Sequence, residues 1–292
     1  MSDTIASLRR KIGGAKDLQS VVRTMKAVAA SSIGQYEQSV RALEDYYRTV
    51  ELGLGACFRE AVPSPQAGPP MVRAIGAIVF GSDQGLVGQF NEVIVDYAVK
   101  KLATMPAKAE VGAVGERVQA RLADARLPLM GRYSVPTSVK AITPLVGQIL
   151  VECEPRHSRG EVSELHLFYN RPISGAAYAP VGQRLLPLDE SWRRELSARP
   201  WPNGRLPEVL GDHVATLRAL IREYLFVSLF RACAESLASE NASRLAAMQR
   251  ADKYIDELLE NLKGTYYRLR QCGIDEELFD VISGFVALVE PS

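Results

Sequence analysis

The chain has 292 residues, of which 47% are hydrophobic and 24% charged, with a formal net charge of +1. That length holds one large domain or two small ones with a proper core, and the near-neutral balance gives no general pull toward nucleic acid or an anionic membrane. No apolar run is long enough to cross a bilayer, and the polar start does not read as a signal peptide, so direct membrane insertion is not expected.

The first element is a long helix, expected over residues 1–60. Ile5, Leu8, Ile12, Ala15, Leu18, Val22, Met25, Ala29, Ile33, Tyr36, Val40, Leu43, Tyr47, Val50 and Leu54 recur at alternating threes and fours. This is a coiled-coil seam, with a phase slip expected near Leu18. From Asp3 to Phe58 such a helix is about 80 Å long. Residues 62–70 then read as a linker, because Pro63, Pro65, Gly68, Pro69 and Pro70 crowd into it.

The middle, residues 72–190, changes character to a central α/β domain. Ala74–Phe80 is a short continuous apolar run, as in a strand covered on both faces. Helical patterns over 91–103, 116–125 and 138–151 alternate with strand-like runs over 109–114, 129–135, 165–169 and 178–188. That alternation predicts a Rossmann-like sheet with crossover helices. Residues 190–207, with Pro200, Pro202, Gly204 and Pro207, read as a loop.

The first strand is followed by Gly81-Ser82-Asp83-Gln84-Gly85-Leu86-Val87-Gly88-Gln89-Phe90-Asn91. A Gly-rich turn between strand and helix is where phosphates are often held. Here the glycines Gly81, Gly85 and Gly88 are spaced four and three apart, which is not the dinucleotide fingerprint, and no Gly-Lys-Ser/Thr ending follows. The Asp83 carboxylate would also repel a phosphate. A tight turn for close strand–helix packing is the alternative reading, with Gly81, Asp83, Gly85, Gly88 and Asn91 as its structural residues. His157, His166 and His213 are scattered, and Cys57, Cys153, Cys233 and Cys272 show neither CxxC nor metal-ligand spacing. Neither a catalytic constellation nor a cofactor or metal site is therefore expected, and the cysteines read as buried, reduced thiols.

The chain closes with a second long helix, expected over 208–289. Between Gly211 and Gly264 no Gly interrupts it, and Pro is absent until Pro291. Two long seams at opposite ends of one chain most simply pair antiparallel. Charge agrees: residues 1–30 carry Arg9, Arg10, Lys11, Lys16, Arg23 and Lys26, whereas Asp275, Glu276, Glu277, Asp280 and Glu290 mark an acidic end. The second helix, about 120 Å long, should overhang the first by about 40 Å. Its tail is apolar almost all round, through Ile274, Leu278, Phe279, Val281, Ile282, Phe285, Val286, Leu288 and Val289. A helix of that kind is normally buried. Either partner proteins supply a sleeve, or the tail folds back on the rod with Gly273 as hinge.

The turn 81–91 resembles the strand–turn motif of the gamma subunit of rotary F-type ATP synthases. So do Met25-Lys26-Ala27-Val28-Ala29-Ala30-Ser31, Leu185-Leu186-Pro187-Leu188, the run from Glu235 to Met248, and Tyr266-Tyr267-Arg268-Leu269-Arg270-Gln271 with Ile274, Glu277, Leu278 and Gly284. The resemblance implies a non-catalytic rotor stalk: a long antiparallel coiled coil of the end helices plus a central Rossmann-like α/β domain. It implies as partners the alpha and beta subunits, the epsilon subunit and the membrane c-ring, and a peripheral place on the cytoplasmic face of a bacterial inner membrane. It also implies that Met25 and Lys26 pass the lever of a beta subunit, that Glu240 and Arg244 support that region, and that Arg270 and Gln271 meet a catalytic-subunit loop. Asp275 stands where the family usually has Thr, which puts one ring contact in doubt, and residues 199–202 depart from the family's foot motif. From the residues alone two other readings stay open: a nucleotide-binding enzyme with helical arms, and a coiled-coil scaffold.

Overall fold

The computed structural model describes residues 4–60, 74–173, 177–202, 204, 207–208 and 211–289; the expected linker at 62–70 lies outside them. In chain order the elements are α1 (Ile5–Glu60), β1 (Ile75–Phe80), α2 (Phe90–Ala103), β2 (Ala109–Val114), α3 (Glu116–Asp124), β3 (Leu129–Tyr133), α4 (Val139–Ser158), β4 (Glu164–Ile173), β5 (Ala177–Leu186), α5 (Glu190–Ala198) and α6 (His213–Val289). The fold is α/β, with end helices of 56 and 77 residues and a central five-stranded sheet that is parallel apart from β5. The chain forms two compact units, residues 29–244 and residues 1–28 with 245–292.

In the larger unit the strand order is β3-β2-β1-β4-β5. β1 lies between β2 and β4, parallel to both, and is buried on both faces, which is why its sequence is a continuous apolar run. Ile75, Ala77 and Val79 pack with Ile94 and Ala98 of α2 and with Val118 and Leu122 of α3. Ile78 and Phe80 face the other way, into a core with Ile142, Val146 and Ile149 of α4, Leu54 of α1 and Leu229 and Leu237 of α6. No helix separates β4 from β5, so that pair is antiparallel.

Three element boundaries differ from the sequence reading. α4 does not end at Val151 but runs to Ser158 with Pro155 inside it, because Leu150 and Cys153 are buried in the core and hold the last turns. Residues 190–198 are a helix, not a loop: the Asp189 carboxylate accepts from Ser191 N and Trp192 N as an N-cap, and Leu196 is buried. The prolines at 200, 202 and 207 follow that helix instead of preventing it. α6 begins at His213, where the Asp212 carboxylate accepts from Val214 N and Ala215 N, both at 3.1 Å.

Within the smaller unit α1 and α6 run antiparallel. Arg9 Nη2 donates to the Tyr266 hydroxyl at 3.0 Å, and Gln19 Nε2 to Asp256 Oδ1 at 2.5 Å. Ala15 packs against Ile255 and Leu259, with Ile12 and Val22 alongside. The pairing sense is the same in the larger unit, where the Tyr46 hydroxyl donates to Glu223 Oε2 at 2.7 Å.

The expected phase slip is absent. Burial along α1 steps by heptads through Leu8, Ala15, Val22, Ala29 and Tyr36, and a second line of half-buried positions runs through Ile12, Gln19, Lys26 and Ile33. Leu18 is 62% exposed. The seam is continuous because a polar residue, Gln19, occupies it where the apolar pattern pointed to Leu18, and Lys26 lies half-buried beside Met25.

The overhang is shorter than expected. The end helices differ by 77 against 56 residues, or about 30 Å at 1.5 Å per residue. The acidic residues 275–280 fall in this overhang, beyond the Arg9–Tyr266 contact, so the basic start of α1 does not meet them as the charge pattern suggested. α6 continues as helix through Gly273, which is not a hinge, and every side chain from Ile274 to Phe285 is exposed. Phe279 and Val281 are 68% and 69% exposed; the side chains of Val286, Leu288 and Val289 lie outside the described residues.

Candidate functional site

The Gly-rich turn is closed on itself. Asn91, buried at the start of α2, accepts from Ser82 N at 3.0 Å and donates Nδ2 to Ser82 Oγ at 2.8 Å. Gly81 admits no side chain, since a Cβ there would lie 2.0 Å from Val118 Cγ2 on α3. Gly88 and Leu86 take positive φ, 57° and 62°, to turn the chain into α2. Gly85 is half-buried beside Arg117. Asp83 reaches across the sheet ends: Oδ1 accepts from Glu116 N, in the first turn of α3, and Oδ2 from Val135 N, each at 3.0 Å. The Asp83 carboxylate thus sits at the N-terminus of α3 and ties the turn to that helix, which places a negative charge within the turn where a phosphate would need donors.

α6 passes directly behind this turn. Its residues 232–243 are buried without interruption. The Ser243 hydroxyl donates to Val87 O and the Ser239 hydroxyl to Asn170 O, the latter at 3.0 Å. Arg244 Nη2 pairs with Glu240 Oε1 at 2.7 Å, with side-chain exposures of only 13% and 7%. Burial pushes the Glu240 carboxyl up and the Asp83 charge adds to this, against the opposing pull of Arg244. Arg244 Nε is buried without a partner among the described residues.

Met25 and Lys26 are half-buried on α1 in the smaller unit. Lys26 Nζ meets Asp252 Oδ2 at 2.9 Å, and Arg23 Nε meets Asp252 Oδ1 at 3.2 Å. Gln19 reaches the same Oδ1 at 3.5 Å. Asp252 is thus a carboxylate held by two cations across the helix pair. Sequence reading missed it, along with Gln19, Ser239 and Ser243; the signal was present as polar residues at heptad positions. Arg270, Gln271 and Asp275 are exposed on the far part of α6, where Gln271 Nε2 donates to Asp275 Oδ1 at 3.1 Å.

His166 and His157 are tied into hydrogen bonds, to Glu164 Oε2 at 2.8 Å and Val162 O at 3.0 Å. Among the described residues no cluster of His, Cys, Asp and Glu could hold a metal ion, and no helix is long and apolar enough to cross a membrane.

A family model described as ATP synthase matches residues 4–288. A relative from Anaeromyxobacter sp. (strain Fw109-5), an ATP synthase gamma chain, is 27% identical over 98% of this chain and 99% of its own length. One from Glaesserella parasuis serovar 5 (strain SH0165), also an ATP synthase gamma chain, is 26% identical over 96% and 98%. Among solved structures, a chain of the Euglena gracilis mitochondrial ATP synthase rotor is similar in fold. Its TM-score is 0.64 at 17% identity, covering 92% of this chain and 98% of that one.

Two predictions follow from the geometry. Asp83→Ala leaves two backbone N–H groups without their acceptor and should cost about 2 kcal/mol of stability, read as a lower urea midpoint for the full chain. The Asp252 carboxyl is held below its ordinary value of 3.8, chiefly by the Lys26 hydrogen bond. In the window just below that value the unfolded chain binds more protons, so stability is present above it and is lost as pH falls. Asp252→Asn should therefore unfold at lower temperature near neutral pH, and its deficit against the native chain should shrink on acidification, as followed by helical circular dichroism.

Proposed function

The chain belongs to the ATP synthase family, and from that premise we propose that it is the central rotor stalk of such an enzyme, a non-catalytic gamma subunit that carries torque between an ion-driven membrane ring and the catalytic subunits. The gamma-chain relatives match it over nearly its whole length. The observation that carries the reading is the far part of α6, a continuous helix whose apolar side chains are exposed from Ile274 to Phe285. An isolated soluble protein rarely keeps so contiguous an apolar surface in water, and such a surface marks an interaction site. A ring of alpha and beta subunits supplies the sleeve.

In this reading residues 1–60 and 208–289 are the shaft and residues 72–190 the foot, which meets the epsilon subunit and the c-ring on the cytoplasmic face of a bacterial inner membrane. The shaft acts by contact, not by chemistry. A rotor angle biases a catalytic subunit between conformations only through the difference in its contacts with each, and nucleotide occupancy biases the angle reciprocally. Met25 and Lys26 face a beta-subunit lever; Lys26 arrives there already pinned by Asp252, so its ammonium is fixed in place. Glu240 and Arg244, paired four residues apart, stiffen their own stretch of α6. At the tip, Asp275 holds the Gln271 amide, which leaves the Arg270 guanidinium as the strong donor toward a catalytic subunit.

Expression with candidate alpha and beta chains tests this: the protein should co-purify with a threefold pair of larger nucleotide-binding subunits, and a chain that stays alone or itself binds nucleotide would contradict it. Truncation after Gln271 should weaken that assembly without changing the nucleotide chemistry of the other subunits. Arg244→Lys keeps the charge beside Glu240 but removes the planar fork. Coupled ATP synthesis should fall severalfold with subunit yield unchanged; equal losses of both would mean a purely structural role.

A further inference from the structure

Between β4, β5, α1 and α6, within the unit 29–244, lies a polar cavity of about 360 Å³ lined by Tyr47, Tyr169, Arg171, Gln183, Ser228 and Arg231, with backbone from Val181 and Gly182. Its charge is unbalanced. Glu235, whose side chain is 8% exposed, accepts from Arg231 Nε at Oε1, 2.7 Å, and from Arg171 Nε at Oε2, 2.9 Å. One buried carboxylate thus anchors two guanidinium groups, and it holds each by its Nε. Arg171 also donates an Nη to the Tyr169 hydroxyl at 2.6 Å, and among the described residues the Arg231 guanidinium has its side-chain hydrogen bond to Glu235 alone. Both arginines are 44% exposed and reach the cavity mouth. In the wall, the Ser228 hydroxyl is buried beside the Tyr224 hydroxyl, with no partner at ordinary hydrogen-bond geometry among the described residues. Donors therefore converge on one space from a strand and from a helix, with a net positive charge and room for a small ion.

We propose that this cavity binds a small tetrahedral oxyanion of the inorganic phosphate type, held by the Arg171 and Arg231 guanidinium groups with the Ser228 hydroxyl as a third donor. Planar guanidinium forks match such oxygens bidentately. Donors from more than one direction suit a tetrahedral ion, which offers oxygens on several sides, better than a flat carboxylate. The bound ion would bridge β4, which carries Arg171, to α6, which carries Arg231 and Ser228, and so brace the sheet against the long helix. Binding to the folded state alone raises stability in step with ligand concentration.

The test is a calorimetric titration of the full chain with sodium phosphate against sodium chloride at matched ionic strength, with the melting temperature followed in parallel. Phosphate should bind saturably at one site and raise the melting temperature, sulfate should compete, and acetate should do neither. Arg231→Gln should weaken phosphate binding roughly tenfold, the size of one lost charge-assisted hydrogen bond, and Ser228→Ala by a smaller factor. If Arg231→Gln fails to fold, Arg231→Lys retains the charge beside Glu235 but not the fork and should show a similar loss. A response that does not saturate or that chloride reproduces overturns the proposal. So does binding indifferent to Arg231 and Ser228, or acetate binding as well as phosphate.

Discussion

A helix buried on every side is the constraint on which the rest of this structure depends. Along residues 232–243 of α6 no face meets water. Neighbouring backbone can come that close only because Ala232, Ala234, Ser236, Ala238, Ser239, Ala242 and Ser243 are small. Closeness in turn forces the polar groups of the segment to find partners inside the protein, since a buried polar group left unpaired is costly. Ser239 bonds to the backbone of β4, Ser243 to the Gly-rich turn, Asn241 to Leu237 of its own helix, and Glu235 and Glu240 to arginines. A helix tied in this way cannot turn about its axis against the sheet without breaking several directional bonds together. For a subunit that transmits torque, that resistance to slip is the property required.

The helix pair of the smaller unit is built on a different principle. There the packing side chains are few, Ala15 with Ile255 and Leu259, and polar contacts fix the register. Asp252 binds Lys26 and Arg23 while Gln19 spans Asp252 and Asp256. A polar residue at a seam position costs some stability but selects one alignment over its neighbours. Beyond the pairing, α6 leaves Ile274, Leu278, Phe279, Val281, Ile282 and Phe285 exposed alongside the acidic residues 275–277 and 280. A segment held by small-residue burial, one held by charge and one with its side chains exposed thus follow one another along a single helix.

Much of this was legible in the sequence. Both long helices and the strand-by-strand content of the sheet followed from periodicity, because repeated apolar spacing reports directly which face is buried. What escaped was polar. Gln19 and Lys26 sit on the seam yet do not register in an apolar pattern, which produced a spurious phase slip at Leu18. The helix Glu190–Ala198 was hidden by the prolines after it, although Asp189 followed by Ser191 marked its cap. The run from Glu235 to Ser243 stood out only through family resemblance, since its small and polar residues make no long apolar stripe; its burial on every face is visible only in the structure. The roles of Arg270 and Gln271 came from family resemblance, since nothing in their spacing marks an exposed pair as a contact.

The central claim is that the bare end of α6 is housed by other chains. Cys272 lies on it and is exposed, whereas Cys57, Cys153 and Cys233 are buried. The rate at which a thiol reagent modifies the native protein therefore reports on that end alone. The account predicts rapid labelling of Cys272 in the free chain and labelling slowed by orders of magnitude once the catalytic subunits are assembled around it. Equal rates in the free and assembled protein would contradict it.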